Sequence, residues 1–229
     1  MTARLAVALD TTDVDTATAW AAAVSPHVDV LKLGLEFYLA NGSAGVRDVR
    51  RAAPGTGLFL DLKLHDIPAT VAGGARAVAA LEPDYLTVHA AGGPAMVEAA
   101  AAALPGTRIA AVTVLTSLSP SDLEVLDLPP AGELVPRWAH VAIEAGARAL
   151  VSSALEVQGL RAALPSDVHL ITPGIRPAGS DVADQSRIAT PAAAASWGSD
   201  LLVVGRPITG ADDPAAAAAA IAAELPDDR

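Results

Sequence analysis

Cysteine is absent from the chain, which excludes disulfides, thiolate chemistry and zinc–cysteine sites. Aromatic residues are scarce: two Phe, three Trp and two Tyr make up 3 % of the sequence. Alanine, valine and leucine therefore have to fill the core, and alanine, at 53 positions, adds little bulk. Charged residues are only 18 % and hydrophobic ones 52 %, the reverse of what a disordered, solvating chain needs. Basic residues are few, 15 Lys and Arg against 26 Asp and Glu for a net charge of −11. They form no cluster, which argues against general nucleic-acid binding. No uncharged run is long and greasy enough to span a bilayer, and the alanines of 215–223 read as a surface-packed helix. Residues 1–10 hold a short apolar run ending in the Asp10 carboxylate, without the longer apolar stretch and cleavage site of a signal peptide. The expectation is a soluble cytoplasmic protein.

What remains is a chain of 229 residues, enough for one large domain or two small ones, either with a proper core. Eight short apolar runs recur along it: Leu5–Leu9, Val28–Leu33, Leu58–Leu62, Tyr85–Val88, Ile109–Leu115, Ala149–Ser152, Val168–Ile171 and Leu201–Val204. Most are continuous rather than alternating, as in parallel strands buried on both faces. Helices are expected between them, at Asp13–Val24, Pro68–Leu81 and Glu133–Ala145. Thr190-Pro191 and Asp213-Pro214 each place a capping oxygen before a first-turn proline. Ser117–Pro130 reads as a loop with one short helix. Eight strand-then-helix units suggest a (β/α)₈ barrel in one domain, residues 1–229. A doubly wound open sheet is the alternative, and periodicity does not separate the two.

In a parallel barrel the chemistry sits where strands end, and charges stand at those points. Asp10 follows the first run and Lys32 closes the second. The third runs into Asp61-Leu62-Lys63-Leu64-His65-Asp66-Ile67-Pro68. Asp10 alone could be a helix cap, and Lys32 alone could reach the rim of the barrel. Asp61 and Lys63 are two apart in a strand and share a face. If Leu62 faces the helices, both point to the barrel axis, and a buried carboxylate–ammonium pair there has no obvious benefit to stability. His65 and His89 read as hydrogen-bonded structural residues, and no spacing supports a metal site. Gly73-Gly74 and Gly92-Gly93 suggest turns and close packing. The last two loops hold Gly174, Arg176, Gln185, Gly205 and Arg206, a candidate phosphate site of backbone N–H groups and guanidinium forks. Their bland reading is surface charge on loops.

Together these residues resemble the orotidine 5′-monophosphate decarboxylase family. The matching pieces are Val7-Ala8-Leu9-Asp10, Lys32-Leu33-Gly34, the octapeptide Asp61–Pro68, Val112–Ser117, Thr172-Pro173-Gly174-Ile175-Arg176-Pro177, Asp184-Gln185 and Val204–Thr209. The resemblance implies a homodimeric (β/α)₈ barrel with neither metal nor organic cofactor. It implies decarboxylation of orotidine 5′-monophosphate to UMP, with Lys63 the proton donor to the C6 carbanion and Asp61 beside the departing carboxylate, in an alternating row Lys32, Asp61, Lys63, Asp66. Asp66, Ile67 and Thr70 would complete the neighbouring subunit's site. Asp10 and Lys32 would contact ribose hydroxyls, and Thr116 and Ser117 the pyrimidine edge. Gln185, Gly205 and Arg206 would hold the phosphate, with Pro173 and Arg176 also at the substrate. Two other readings stay open. Sugar-phosphate enzymes of the same superfamily share Asp-x-Lys-x-x-Asp but hold Mg²⁺, with a carboxylate ligand where this chain has Lys32. A barrel that binds a phosphorylated ligand without catalysis is the other.

Overall fold

The apolar runs form strands because parallel strands covered by helices on one side and by each other on the other have no wet face. A computed structural model describes residues 3–177 and 189–226. In it β1 (Arg4–Ala8), β2 (Val30–Gly34), β3 (Gly57–Leu64), β4 (Tyr85–His89), β5 (Arg108–Val112), β6 (Ala149–Val151), β7 (His169–Thr172) and β8 (Leu201–Val204) pair in parallel, each with the next. β8 closes on β1 with Leu5 against Leu202, so the sheet is a barrel and the open-sheet alternative falls.

Ten α-helices lie among the described residues: α1 (Val14–Val24), α2 (Leu35–Ala52), α3 (Pro68–Val78), α4 (Pro94–Ala103), α5 (Pro120–Val125), α6 (Ala131–Glu144), α7 (Val157–Ala163), α8 (Pro191–Ser196), α9 (Arg206–Thr209) and α10 (Pro214–Ala223). Side-chain caps start several of them. Asp13 accepts from the Thr16 N–H, Thr190 from Ala193 and Asp213 from Ala216, and Ser119 with Asp122 forms a capping box on α5. Each cap satisfies an amide that the helix itself leaves open.

Outward residues such as Leu5, Val7 and Leu9 pack with the helices in the larger apolar cluster. Inward ones form a second cluster in which the small Ala6, Ala8, Ala110 and Ala149 surround Phe59 and Tyr85. Two of the chain's few aromatics thus fill the barrel interior, edge to face at 5.6 Å between ring centroids. Truncating a ring packed this way costs about 3–5 kcal/mol.

The N-terminal end of the barrel is fastened by a repeated device. Asp29, Asp84 and Asp200 each stand just before a strand and accept the first free N–H of the strand beside it, from Leu5, Leu58 and Leu170, at 2.7–2.8 Å. Below Phe59, the Tyr85 hydroxyl accepts from Arg4 and meets His169 Nδ1 at 2.8 Å. Arg4 and Arg108 flank the same ring. Capped strands and a filled base leave the C-terminal end as the place where polar side chains converge.

Candidate active site

A cavity of about 550 Å³ opens at that end. Its floor is apolar, with Ala8, Phe59, Ile171 and Val203, and its wall carries the charges that interrupt the strand ends. Lys32 leaves β2 with 8 % of its surface exposed. Its Nζ donates to Asp10 Oδ1 at 3.1 Å and lies 3.5 Å from Asp61 Oδ2. Lys63 Nζ donates to Asp61 Oδ1 at 2.8 Å. The observed row is Asp10, Lys32, Asp61, Lys63, a chain in which each inner charge touches two opposite ones. Such a network stays rigid only if fully satisfied. Burial pushes the Asp61 carboxyl up, but Lys32, Lys63 and the Lys63 and Thr87 hydrogen bonds outweigh it, and the group sits below the usual carboxylate range.

β3 is not regular where this happens. Leu60 pairs with Leu86 and Leu64 with Val88, so three residues of β3 oppose Thr87 alone. Lys63 adopts φ +46°, a left-handed conformation that costs a non-glycine residue about 1–3 kcal/mol and persists only where the surroundings enforce it. Leu62 turns outward into the helix-facing cluster, leaving Asp61 and Lys63 on the cavity. Alternation alone would put them there too, but the ammonium reaches its place through a bulge, which sequence spacing does not show.

Thr116, Pro173, Arg176, Gly205 and Arg206 also line the cavity. Arg176 is buried, its backbone N–H bonded to the Ala189 carbonyl. The described lining residues include two carboxylates (Asp10, Asp61), two ammonium groups (Lys32, Lys63) and two guanidinium groups (Arg176, Arg206). On a chain of net charge −11 an anion is captured only by donors at short range, and guanidinium forks at the cavity are donors of that kind. Among the described residues, a Cβ at Gly205 would meet the Ala8 Cβ at an ordinary 3.6 Å.

Ser117 is exposed and stands outside the lining residues. Asp66, Ile67 and Thr70 are exposed too and do not line this cavity; Asp66 Oδ1 accepts the Ile67 N–H. Within one chain Asp66 is thus not part of the charge row, and Asp10 takes the terminal place. Gln185 lies outside the described residues. His65 and His89 stack with ring centroids 5.3 Å apart. Burial lowers the His89 pKa, with His65 and Lys63 acting in the same direction. Gly93 has φ +81° before α4, and a Cβ on Gly92 would collide with Met96, whereas Gly73-Gly74 lie inside α3. Thr87, fully buried, was not among the expected site residues. The available signal was its place in β4, whose inward positions Tyr85, Thr87 and His89 are all polar-capable.

The cavity can hold an anionic ligand by one side and present an ammonium group, backed by carboxylates, to the other. The family profile described as "Orotidine 5'-phosphate decarboxylase / HUMPS family" matches residues 3–221. An "Orotidine 5'-phosphate decarboxylase" of Thermobifida fusca is 62 % identical over 226 residues, 98 % of this chain and 97 % of that protein. One of Frankia casuarinae is 56 % identical over 240 residues, 97 % of this chain and 88 % of that protein. The crystal structure of an orotidine 5'-phosphate decarboxylase from Lactobacillus acidophilus superposes with a TM-score of 0.85 at 36 % identity, covering 97 % of this chain and 98 % of that one.

Proposed function

The chain belongs to the orotidine 5'-phosphate decarboxylase / HUMPS family, and on that footing we propose that it converts orotidine 5′-monophosphate to UMP and CO₂ in pyrimidine biosynthesis. The observation that carries the reading is the Asp10–Lys32–Asp61–Lys63 row on the wall of the cavity.

The C6–carboxylate bond breaks, CO₂ leaves, and the electron pair stays on C6 in an orbital in the ring plane. Ring resonance does not delocalise it, and an electron sink such as a Schiff base does not serve this route. The site must stabilise localised charge and deliver a proton at once. Lys63 Nζ does both: its positive charge faces the developing anion, and its proton passes to C6. Asp61 stands beside the departing carboxylate and aims Lys63. Lys32 and Asp10 take the ribose hydroxyls, Thr116 and Ser117 the pyrimidine edge. Arg206, Gly205 and Gln185 hold the phosphate, with Arg176 and Pro173 beside them. Phosphate contacts lie several bonds from C6 and help only by completing the charged site around it.

The reaction runs without metal or organic cofactor in this reading. Lys32 stands where sugar-phosphate relatives place a carboxylate for Mg²⁺, and its charge repels a divalent cation. Residues 1–229 act as one catalytic domain of a cytoplasmic homodimer. In it Asp66, Ile67 and Thr70, all exposed in one chain, complete the neighbouring site. Among the described residues no helix is long and apolar enough to cross a membrane.

The test is the fall in absorbance as orotidine 5′-monophosphate becomes UMP, followed with EDTA present. Full activity in EDTA is expected. No change at micromolar enzyme would support a binding module, and strict Mg²⁺ dependence a sugar-phosphate enzyme.

A further inference from the structure

The slip between β3 and β4 sets Asp61, Leu62 and Lys63 against one residue, Thr87. Bulges are rare between parallel strands and cluster beside active sites, where they re-aim a side chain. An irregular ladder leaves backbone groups to be satisfied by something else. Here one hydroxyl does it. The Lys63 N–H donates to Thr87 Oγ1 at 2.8 Å, and Thr87 Oγ1 donates to Asp61 Oδ1 at 3.0 Å.

We propose that Thr87 is a positioning residue for the reaction: its hydroxyl clamps the left-handed peptide of Lys63 to the carboxylate of Asp61, and so fixes where the Lys63 ammonium points. The proposal rests on the decarboxylase reading of the cavity. Thr87 is fully buried and does not line the cavity, so it acts through the pair and not on substrate. A hydroxyl donates and accepts at once, and a branched Cβ narrows the rotamers available to it. Asp61 Oδ1 takes both Thr87 and Lys63 Nζ, which leaves Oδ2 to Lys32. Removing the hydroxyl strands a buried N–H at the residue with φ +46°. The peptide has to turn to find another acceptor, and the ammonium turns with it. The charged and titratable groups facing Asp61 are Lys32 from β2, Lys63 from its own strand and His89 from β4.

If Thr87 only filled space, valine would serve as well. Thr87→Val is therefore compared with wild type and with Thr87→Ser. Thr87→Val is expected to lower kcat about 30-fold while KM and UMP affinity stay within about twofold, and Thr87→Ser to recover most of the loss. A second readout needs no turnover: in carbon-13 carboxyl titrations the Asp61 midpoint rises in Thr87→Val and returns in Thr87→Ser. Wild-type kcat in Thr87→Val with an unmoved Asp61 titration overturns the proposal, as does a loss that serine does not recover. If the wild-type enzyme leaves orotidine 5′-monophosphate unchanged, the reading of the cavity fails instead, and the titration still decides for or against Thr87. If Thr87→Val does not fold, Thr87→Cys, with a weak S–H in place of the hydroxyl, takes its place in both measurements.

Discussion

Asp10 and Lys32 meet across the ends of the first two strands, Nζ to Oδ1 at 3.1 Å, directly over the α-carbon of Gly34. A Cβ at that glycine would stand 3.2 Å from Asp10 Oδ1 and 3.3 Å from Lys32 Nζ. The Lys-Leu-Gly end of β2 thus keeps a side chain out of an ion pair. Gly34→Ala should push the pair apart by a few tenths of an ångström and raise KM for orotidine 5′-monophosphate about tenfold, the scale of one charge-assisted hydrogen bond. Steady-state kinetics checks this, and an unchanged KM would remove Asp10 and Lys32 from the ribose.

Lys63 is asked to supply both charge stabilisation and the proton. Lys63→Ala should therefore lose about 10⁴-fold or more in kcat while keeping its circular dichroism spectrum. Asp61 retains Lys32 and Thr87 as partners, so the fold is not left with an isolated buried charge. A folded variant with substantial turnover would take the proton donor elsewhere.

The exposure of Asp66 in one chain makes a subunit-mixing experiment decisive. Lys63→Ala and Asp66→Ala should each be nearly inactive. Unfolded and refolded together, they should form, in the proposed homodimer, mixed dimers with one site that has both residues intact, and random reassortment should return about a quarter of wild-type activity. No recovery would mean that Asp66 serves its own chain.

His89 and His169 both sit below the ordinary imidazole value of 6.5, burial being the largest cause in each. His169 Nδ1 lies at hydrogen-bond distance from the Tyr85 hydroxyl, which accepts from Arg4. Below about pH 6.5 the unfolded chain binds more protons than the folded one. Stability from these groups is complete above that value and drains away as pH falls through the folded pKa values. Asp61, also lowered, adds its loss only below 3.8. Tm should fall between about pH 7 and about pH 5, and His89→Gln with His169→Gln should flatten the slope. A Tm that rises with acid would contradict this.

All eight strands were legible because each is a short apolar run, and they lie within a few residues of their expected places. The fifth ends at Val112 and not at Leu115. Val114 and Leu115 stay apolar because they line the cavity, so hydropathy runs on where the ladder stops. α2 was hidden by Asn41-Gly42-Ser43 in its middle. Gly42 at φ +58° kinks it there, and Asn41 bonds the carbonyls of Thr12 and Phe37. α4 and α7 carried no side-chain cap to announce them. The site was legible wherever a charge interrupts an apolar run. The bulge was not, because a lysine with positive φ looks like any lysine in sequence, and its cause lies on another strand.

The edge-to-face rings of Phe59 and Tyr85, tied at the bottom to Arg4 and His169, make the barrel a blind well. Among the described residues the cavity opens at the C-terminal end, so in the proposed reaction nucleotide and CO₂ share that mouth. In the proposed reaction this closed base gives solvent no approach from behind to the carbon that loses CO₂.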